Sequence, residues 1–361
     1  MEGVVFANLG DENSTEVNNT NFRHNMSLEV NSIFSKAERA ALIVAYTFVF
    51  FCCVFGNLLI MIVVFLHRRL RTVTNFFLIN LAVADLCVGV FCVFQNLSLY
   101  LMNSWPFGNF LCKMYHFIQS LTYTASITIL MIICIERYMA IVHPLWSKHA
   151  VTLKRLRVVI AFVWLICAVY CCPRLIIYGT AEIPSPSGTT IECFLQRRYY
   201  DSEVYDIVNF VFLLIVPLVI IIILYTIIGI RLWRGKQCLS QAPRTIINAR
   251  RKVVRLLLAV VLSFALCNLP FHARKLWQYW SPNFNGGTKE SVFITIGTTL
   301  LLYFNSGINP ILYAFLSNNF RNSMKDVLCC RKYQNTSRFT SYRSNARNAQ
   351  RQQRSSIVQI G

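Results

Sequence analysis

Seven long stretches in which nearly every position is apolar alternate with short polar segments: 40–66, 76–101, 110–135, 158–178, 207–230, 253–277 and 292–315. Each exceeds the roughly 20 residues of low charge that a helix needs to cross bilayer hydrocarbon. None shows the striped apolar and polar faces by which a helix of a water-soluble domain hides one side. A segment apolar all round needs an apolar surround, and in lipid a helix satisfies its own backbone polar groups. The pattern predicts an all-α membrane protein, a seven-transmembrane helix bundle over residues 40–316. A shorter run, 319–328, mixes apolar and polar positions directly after the last span, and predicts a short amphipathic eighth helix within 317–330. Residues 1–39 form a polar N-terminal tail, and residues 331–361 a polar tail expected to be disordered.

Composition agrees, and charge adds an orientation. The chain is 55% hydrophobic and 14% charged, where a soluble domain carries about 25% charged residues. Alternating loops place 67–71, 143–157, 231–255 and the tail after 317 on one side. With Arg137, that side holds 25 of the 35 Lys and Arg residues, while 12 of the 15 acidic residues lie on the other. The positive-inside rule makes the basic side cytoplasmic, with the N-terminus extracellular and the protein in the plasma membrane. The net charge of +20 thus reflects topology and attraction to anionic membrane lipids, not nucleic-acid binding. The outer tail carries glycosylation sequons at Asn13, Asn18 and Asn25. Those at Asn96, at membrane depth, and Asn335, on the cytoplasmic side, are read as chance. Most of the 14 cysteines fall inside spans. Cys112, at the head of the third span, and Cys193, in the loop 179–202, stand in the oxidising outer compartment and are expected to pair. Cys329 and Cys330 follow the amphipathic run and are palmitoylation candidates, with unmodified thiols as the alternative.

Polar residues inside membrane spans are expensive and usually functional. Here they are Asn57, Asp85, Ser126, Asn268, Asn305, Ser306 and Asn309. Together with GN at 56–57, LAVAD at 81–85, WPFG at 105–108, Cys112, ERY at 136–138, Trp164, Pro217 with Tyr225, Phe264 with Pro270, and NPILY at 309–313, they resemble the rhodopsin-like (class A) G-protein-coupled receptors over essentially every span. The resemblance implies a sodium ion at mid-bundle among Asp85, Ser126, Asn305, Ser306 and Asn309. A neutral Asp85 hydrogen-bonded to its neighbours is the alternative. It implies a coupling site for a heterotrimeric G protein built from Glu136, Arg137, Tyr138, Tyr225 and Tyr313, and arrestin as a further partner. Relatives often carry an acid at the inner start of the sixth span. Residues 249–252 read ARRK instead, which removes that restraint on Arg137 and favours ligand-independent signalling.

Amine receptors place an aspartate where this chain has Gln119, and opsins place a lysine in the seventh span, where 292–315 has none. The resemblance points to the peptide-receptor branch, with no cofactor beyond the allosteric sodium. Gln95, Gln119, Arg174, Asn209, His272, Lys275, Thr299 and Tyr303 are the expected ligand contacts, with Glu192, Arg197, Arg198, Asp201, Glu203 and Asp206 above them. Within that branch, residues 88–112 and 120–145 are similar to invertebrate neuropeptide receptors of the trissin-receptor type, whose agonist is a small cysteine-rich peptide. Orexin-, neuropeptide-Y- or tachykinin-like peptides are the alternatives. No internal repeat, pore-lining charge ring or ligand-spaced histidine set supports a transporter, channel or enzyme.

The sixth span carries the departure from the family. Pro270 lacks an amide hydrogen and predicts a kink. The family places a tryptophan two residues before it, where this chain has Asn268. An amide thus replaces the aromatic that would press on Phe264, giving a hinge of Phe264, Asn268 and Pro270. Asn268 has two candidate roles: a polar link toward Asn305 or a sodium-site water, or a local cap on a kink carbonyl.

Overall fold

The computed structural model describes residues 34–150, 152–185, 188–195, 202–238, 244–281, 284–286 and 288–329. Seven helices are long and apolar enough to cross a membrane: α1 (Lys36–Leu66), α2 (Val73–Leu101), α3 (Gly108–Val142), α4 (Leu153–Ile177), α5 (Glu203–Leu232), α6 (Arg251–Trp280, continuous with a helix from Arg244) and α7 (Lys289–Leu316). Helix α8 (Asn318–Leu328) follows at once. Asn13, Asn18, Asn25, Arg197, Arg198, Asp201, Cys330 and the tail 331–361 lie outside the described residues.

Caps set several of the starts. Helix α1 opens four residues before its apolar run because Ser35 and Glu38 form a capping box: the Ser35 hydroxyl accepts from the Glu38 amide, and the Glu38 carboxylate accepts from Ser35 N. Thr72, Thr152, Thr288 and Ser317 likewise cap α2, α4, α7 and α8. Helices α3 and α6 outrun their apolar stretches at the basic end. The run marks only the part that sits in hydrocarbon, while the helix continues into water.

Three spans contain a π-turn: Cys52–Gly56 in α1, Gly89–Val93 in α2 and Val211–Ile215 in α5. The extra residue rotates everything after it by about 100° relative to an unbroken helix. Two glycines let α1 and α7 approach closely. A Cβ at Gly307 would stand 2.8 Å from the Cys52 Cβ, and one at Gly56 would stand 2.8 Å from the Pro310 ring. Without a hydrophobic force between helices in lipid, such backbone proximity is a main source of packing energy.

Large apolar side chains such as Val44, Phe65, Ile166 and Phe212 face outward, as a lipid surround requires. Two large apolar clusters fill the interior. One is centred on Phe77, Ile129, Leu257 and Phe264 toward the basic end, the other on Tyr46, Val93, Tyr115 and Tyr303 toward the opposite end. That second end is covered by a hairpin of β1 (Tyr178–Ser185) and β2 (Gly188–Leu195), antiparallel with Cys193 opposite Thr180. A disulfide joins Cys193 to Cys112 at the start of α3, with a Cα–Cα distance of 5.7 Å. Trp105 packs on this bond and donates its amide to Ile191 O at 2.7 Å. Asn109 Oδ1 accepts from the Thr180 amide at 3.1 Å. The hairpin is therefore fastened to α3 at both strands.

Candidate functional site

Beneath the hairpin lies an open cavity, about 730 Å³ when the space open to solvent is included, walled by α3, α4, α5, α6 and α7. Gln119, Arg174, Asn209, His272 and Lys275 line it, as do Tyr123, Tyr205, Asp206 and Phe271. Its charges are mixed and partly paired. Asp206 takes a hydrogen bond from Tyr279 at 2.7 Å and an ion pair from Lys275 at 3.4 Å. Arg174 donates to the Tyr205 hydroxyl at 3.1 Å and lies over the Tyr205 and Tyr178 rings. Asn209 is turned to internal use, accepting from Tyr170 at 2.9 Å and donating to Tyr205 O at 2.7 Å.

Three of the expected contacts stand elsewhere. Tyr303 lies behind Gln119, whose amide donates to its hydroxyl at 3.1 Å. Thr299 is buried in α7 and, like Gln95, does not line the cavity. After the π-turn in α2 the inward position belongs to Asn96, which is 4% exposed. Its carbonyl accepts from Tyr46 at 2.7 Å and its amide donates to Tyr115 at 3.0 Å. Tyr115 meets Tyr303 at 2.9 Å. An unbroken chain of side-chain hydrogen bonds thus runs from the cavity wall to α1: Gln119, Tyr303, Tyr115, Asn96, Tyr46. It ties together α3, α7, α2 and α1.

Lower in the bundle, Asp85 is 1% exposed, and among the described residues no cationic side chain is bonded to it. Asn309 donates to its carboxylate at 2.8 Å, and the Ser306 hydroxyl is its other hydrogen-bonding neighbour. Ser126 and Asn305 are buried as well but make no hydrogen bond to it. Asn57 donates to Cys53 O and Ser306 O, bridging α1 and α7. The Asn309 and Asn57 carbonyl oxygens are buried without partners. A carboxylate, a hydroxyl and orphaned amide oxygens form a donor set that fits a hard cation.

At the basic end, the Arg137 guanidinium donates twice to the neighbouring Glu136 carboxylate. Among the described residues it has no partner on α6. Tyr225 and Tyr313 are buried nearby in the core, Tyr313 with an unpartnered hydroxyl. The Tyr138 ring meets His143 edge-on. Cys329 is exposed just past α8. The residues expected to receive a G protein thus stand at this end, Arg137 paired with Glu136 and both Tyr225 and Tyr313 buried.

Residues 56–313 match the model of the 7 transmembrane receptor (rhodopsin family). The chain belongs to this family. It is a seven-span receptor and not an enzyme. The receptor is similar to the trissin receptor of Drosophila melanogaster, 35% identical over 82% of this chain and 68% of that protein. It is similar to the tachykinin-like peptides receptor 99D of the same organism, 35% identical over 75% of this chain and 54% of that one. A third relative is the allatostatin-A receptor of Bombyx mori, 32% identical over 86% of this chain and 85% of that one.

On the receptor's sixth helix, Asn268 caps the turn before it. Its amide donates to Phe264 O at 2.6 Å, one turn back on the same helix, and does not reach Asn305. Its carbonyl oxygen is buried without a partner. The helix runs through Pro270 without a break. An aromatic does press on Phe264, but it comes from another helix: Tyr123 of α3 stacks on it with a centroid distance of 5.8 Å. The Tyr123 hydroxyl meets His272 Nε2 at 3.0 Å, so one side chain touches the cavity, α6 and Phe264 together. Tyr123 was legible only as the residue one turn below Gln119 on the same helical face.

Proposed function

We propose that this receptor responds to an extracellular peptide similar to trissin and activates a heterotrimeric G protein. The observation that carries the ligand class is the cavity under the hairpin. It offers one carboxylate, two cations, a histidine and several hydroxyls between aromatic walls, which suits the backbone amides and mixed charges of a peptide. The similarity to the Drosophila trissin receptor selects among peptides. In this reading the N-terminus is extracellular and glycosylated, the receptor sits in the plasma membrane, and the basic end faces the cytoplasm with palmitoylated cysteines beside α8.

Ligand seated on Gln119 and His272 displaces the Tyr123 ring, and Phe264 follows because it is stacked beneath. The proline lets α6 swing outward at its basic end, since Pro270 donates no hydrogen bond to the turn before it. Arg137, released from Glu136, then lines a cleft with Tyr225 and Tyr313 that receives the C-terminal helix of a G protein α subunit; arrestin competes for the same cleft. Asp85, Asn309 and Ser306, with Ser126 and Asn305 around them, would hold a sodium ion, which supplies counter-charge to the buried carboxylate when bound.

Cells expressing the receptor, exposed to trissin and to a panel of neuropeptides with calcium and cyclic AMP read together, test this. Trissin is expected to act at nanomolar to micromolar concentration, and Arg137→Ala to remove the response at equal surface expression. A response only to tachykinin- or allatostatin-like peptides would reassign the ligand. No G-protein response to any peptide in the panel would refute the reading.

A further inference from the structure

We propose that Arg174 and Lys275, on the α4 and α6 sides of the cavity under the hairpin, together recognise a carboxylate group of the ligand. This rests on the peptide reading above for the kind of molecule that carries the carboxylate, and on the lining alone for the charge it bears. The lining holds two permanent cations and one carboxylate, Asp206. Every other residue in it is neutral except His272, which can only add positive charge. Glu192 and Glu203 are not part of it. The site therefore carries an excess of positive charge between low-dielectric walls, where a charge is screened less than in water.

Two consecutive residues of α5 hold both cations. Arg174 donates Nε to the Tyr205 hydroxyl at 3.1 Å, with its guanidinium 5.3 Å from the Tyr205 ring centroid and 5.9 Å from that of Tyr178. Tyr205 thereby takes one of the five N–H donors a guanidinium offers. Lys275, its side chain 13% exposed, reaches Oδ2 of the next residue, Asp206, at 3.4 Å. That is long for a charge-assisted hydrogen bond, which closes to about 2.7–2.9 Å. The same oxygen accepts from Tyr279 at 2.7 Å. Tyr279 is thus the close partner of Asp206 and Lys275 the loose one. An incoming carboxylate brings two oxygens, one for each cation: Lys275 turns to the first, Arg174 takes the second, and Asp206 keeps Tyr279. A neutral amide in that place gains no charge pairing, and a cationic group meets two like charges.

The test uses the full-length receptor purified in detergent, its thermal unfolding titrated with three small probes: N-acetyltyrosine (a carboxylate), N-acetyltyrosinamide (neutral) and tyrosinamide (a cation). Wild type is expected to bind N-acetyltyrosine about 10- to 100-fold more tightly than the neutral amide, the range for a hydrogen bond to a charged group. R174Q/K275Q should erase that preference, and D206N should strengthen it by releasing Lys275. If R174Q/K275Q gives no monodisperse receptor, K275Q alone serves instead and should lower the preference. Equal affinity for acid and amide in wild type, or a preference unmoved by removing the cations, would overturn the proposal. Tightest binding of tyrosinamide, lost in D206N, would make Asp206 the reader of a cation and overturn it too. Synthetic trissin, as free acid, as C-terminal amide, and with each acidic side chain changed in turn to its amide, separates the two sources of a carboxylate in the calcium assay. Potency lost on amidation of the C-terminus assigns the terminal group, and potency lost at one acidic residue assigns that side chain; R174Q/K275Q should be indifferent to the change in either case. If wild type responds to trissin and none of these changes lowers potency, the proposal falls. Silence of wild type toward every peptide would refute the peptide reading alone, because probe binding needs no agonist.

Discussion

Replacing Asn96 with leucine tests the buried hydrogen-bond chain at its middle link. Leucine keeps asparagine's branched outline but is bulkier, so both hydrogen bonds are lost and some crowding is added in the α1–α2–α3 interface. Tyr46, fully buried, then loses its acceptor at 2.7 Å, whereas Tyr115 keeps Tyr303 at 2.9 Å. One orphaned buried hydroxyl costs about 1–3 kcal/mol in a soluble protein. Interhelical hydrogen bonds in membranes average only about 0.6 kcal/mol, because the reference state also finds partners. Two lost bonds at about 0.6 kcal/mol each and one orphan at about 1–3 kcal/mol therefore sum to roughly 2–4 kcal/mol. Tyr46→Phe removes the orphan, so the double variant should be less destabilised than the sum of the singles, with a coupling of about 0.5–1.5 kcal/mol. The assay is thermal unfolding of detergent-solubilised receptor, followed with a thiol-reactive fluorophore that reports exposure of buried cysteines such as Cys53, Cys92 and Cys134. Unchanged stability of Asn96→Leu, or strict additivity with Tyr46→Phe, would refute the claim that this chain is a stabilising unit. The same variant should leave the glycosylation pattern unaltered, since Asn96 is inside the bundle.

Gln119→Ala removes a cavity contact and the link to Tyr303; agonist potency should fall about 10- to 100-fold at equal surface expression, as expected for roughly 1.5–3 kcal/mol of polar contact, and unchanged potency would take Gln119 out of the site. Tyr123→Phe should keep most of the maximal response by preserving the ring on Phe264, while Tyr123→Leu should retain agonist binding and lose efficacy; equal efficacy of the two in a G-protein activation assay would dismiss the ring's role. Asn268→Leu deletes an unpartnered buried carbonyl, so thermal stability in sodium-free buffer should hold or rise by about 1 kcal/mol. If that oxygen faces the ion's water, the sodium dependence of agonist affinity should shrink in the same variant, and an unaltered sodium response would disconnect Asn268 from the cation site.

Much of this receptor is written locally. Runs such as 40–66 and 207–230 are spans because no other environment accepts a helix apolar on every side, and the caps at Ser35, Thr72 and Thr288 are short-range chemistry. The disulfide pair followed from which cysteines lie outside the membrane, whereas the hairpin that carries Cys193 came only from the structure. Which polar side chains meet was decided only by the tertiary structure. Asn96 read as a stray sequon because its partners Tyr46 and Tyr115 are distant in sequence, and because the π-turn at Gly89–Val93 breaks the phase by which its facing could be counted. The missing tryptophan at 268 leaves two roles open for Asn268, a polar link toward Asn305 or a sodium-site water and a local cap on a kink carbonyl. The fold supplies a ring to Phe264 from α3 instead, by placing Tyr123 across the gap. Hydrophobicity is a property of each segment and can be read one residue at a time. A hydrogen bond between Gln119 and Tyr303 depends on the rotation and depth of two helices at once, and no segment contains that information alone.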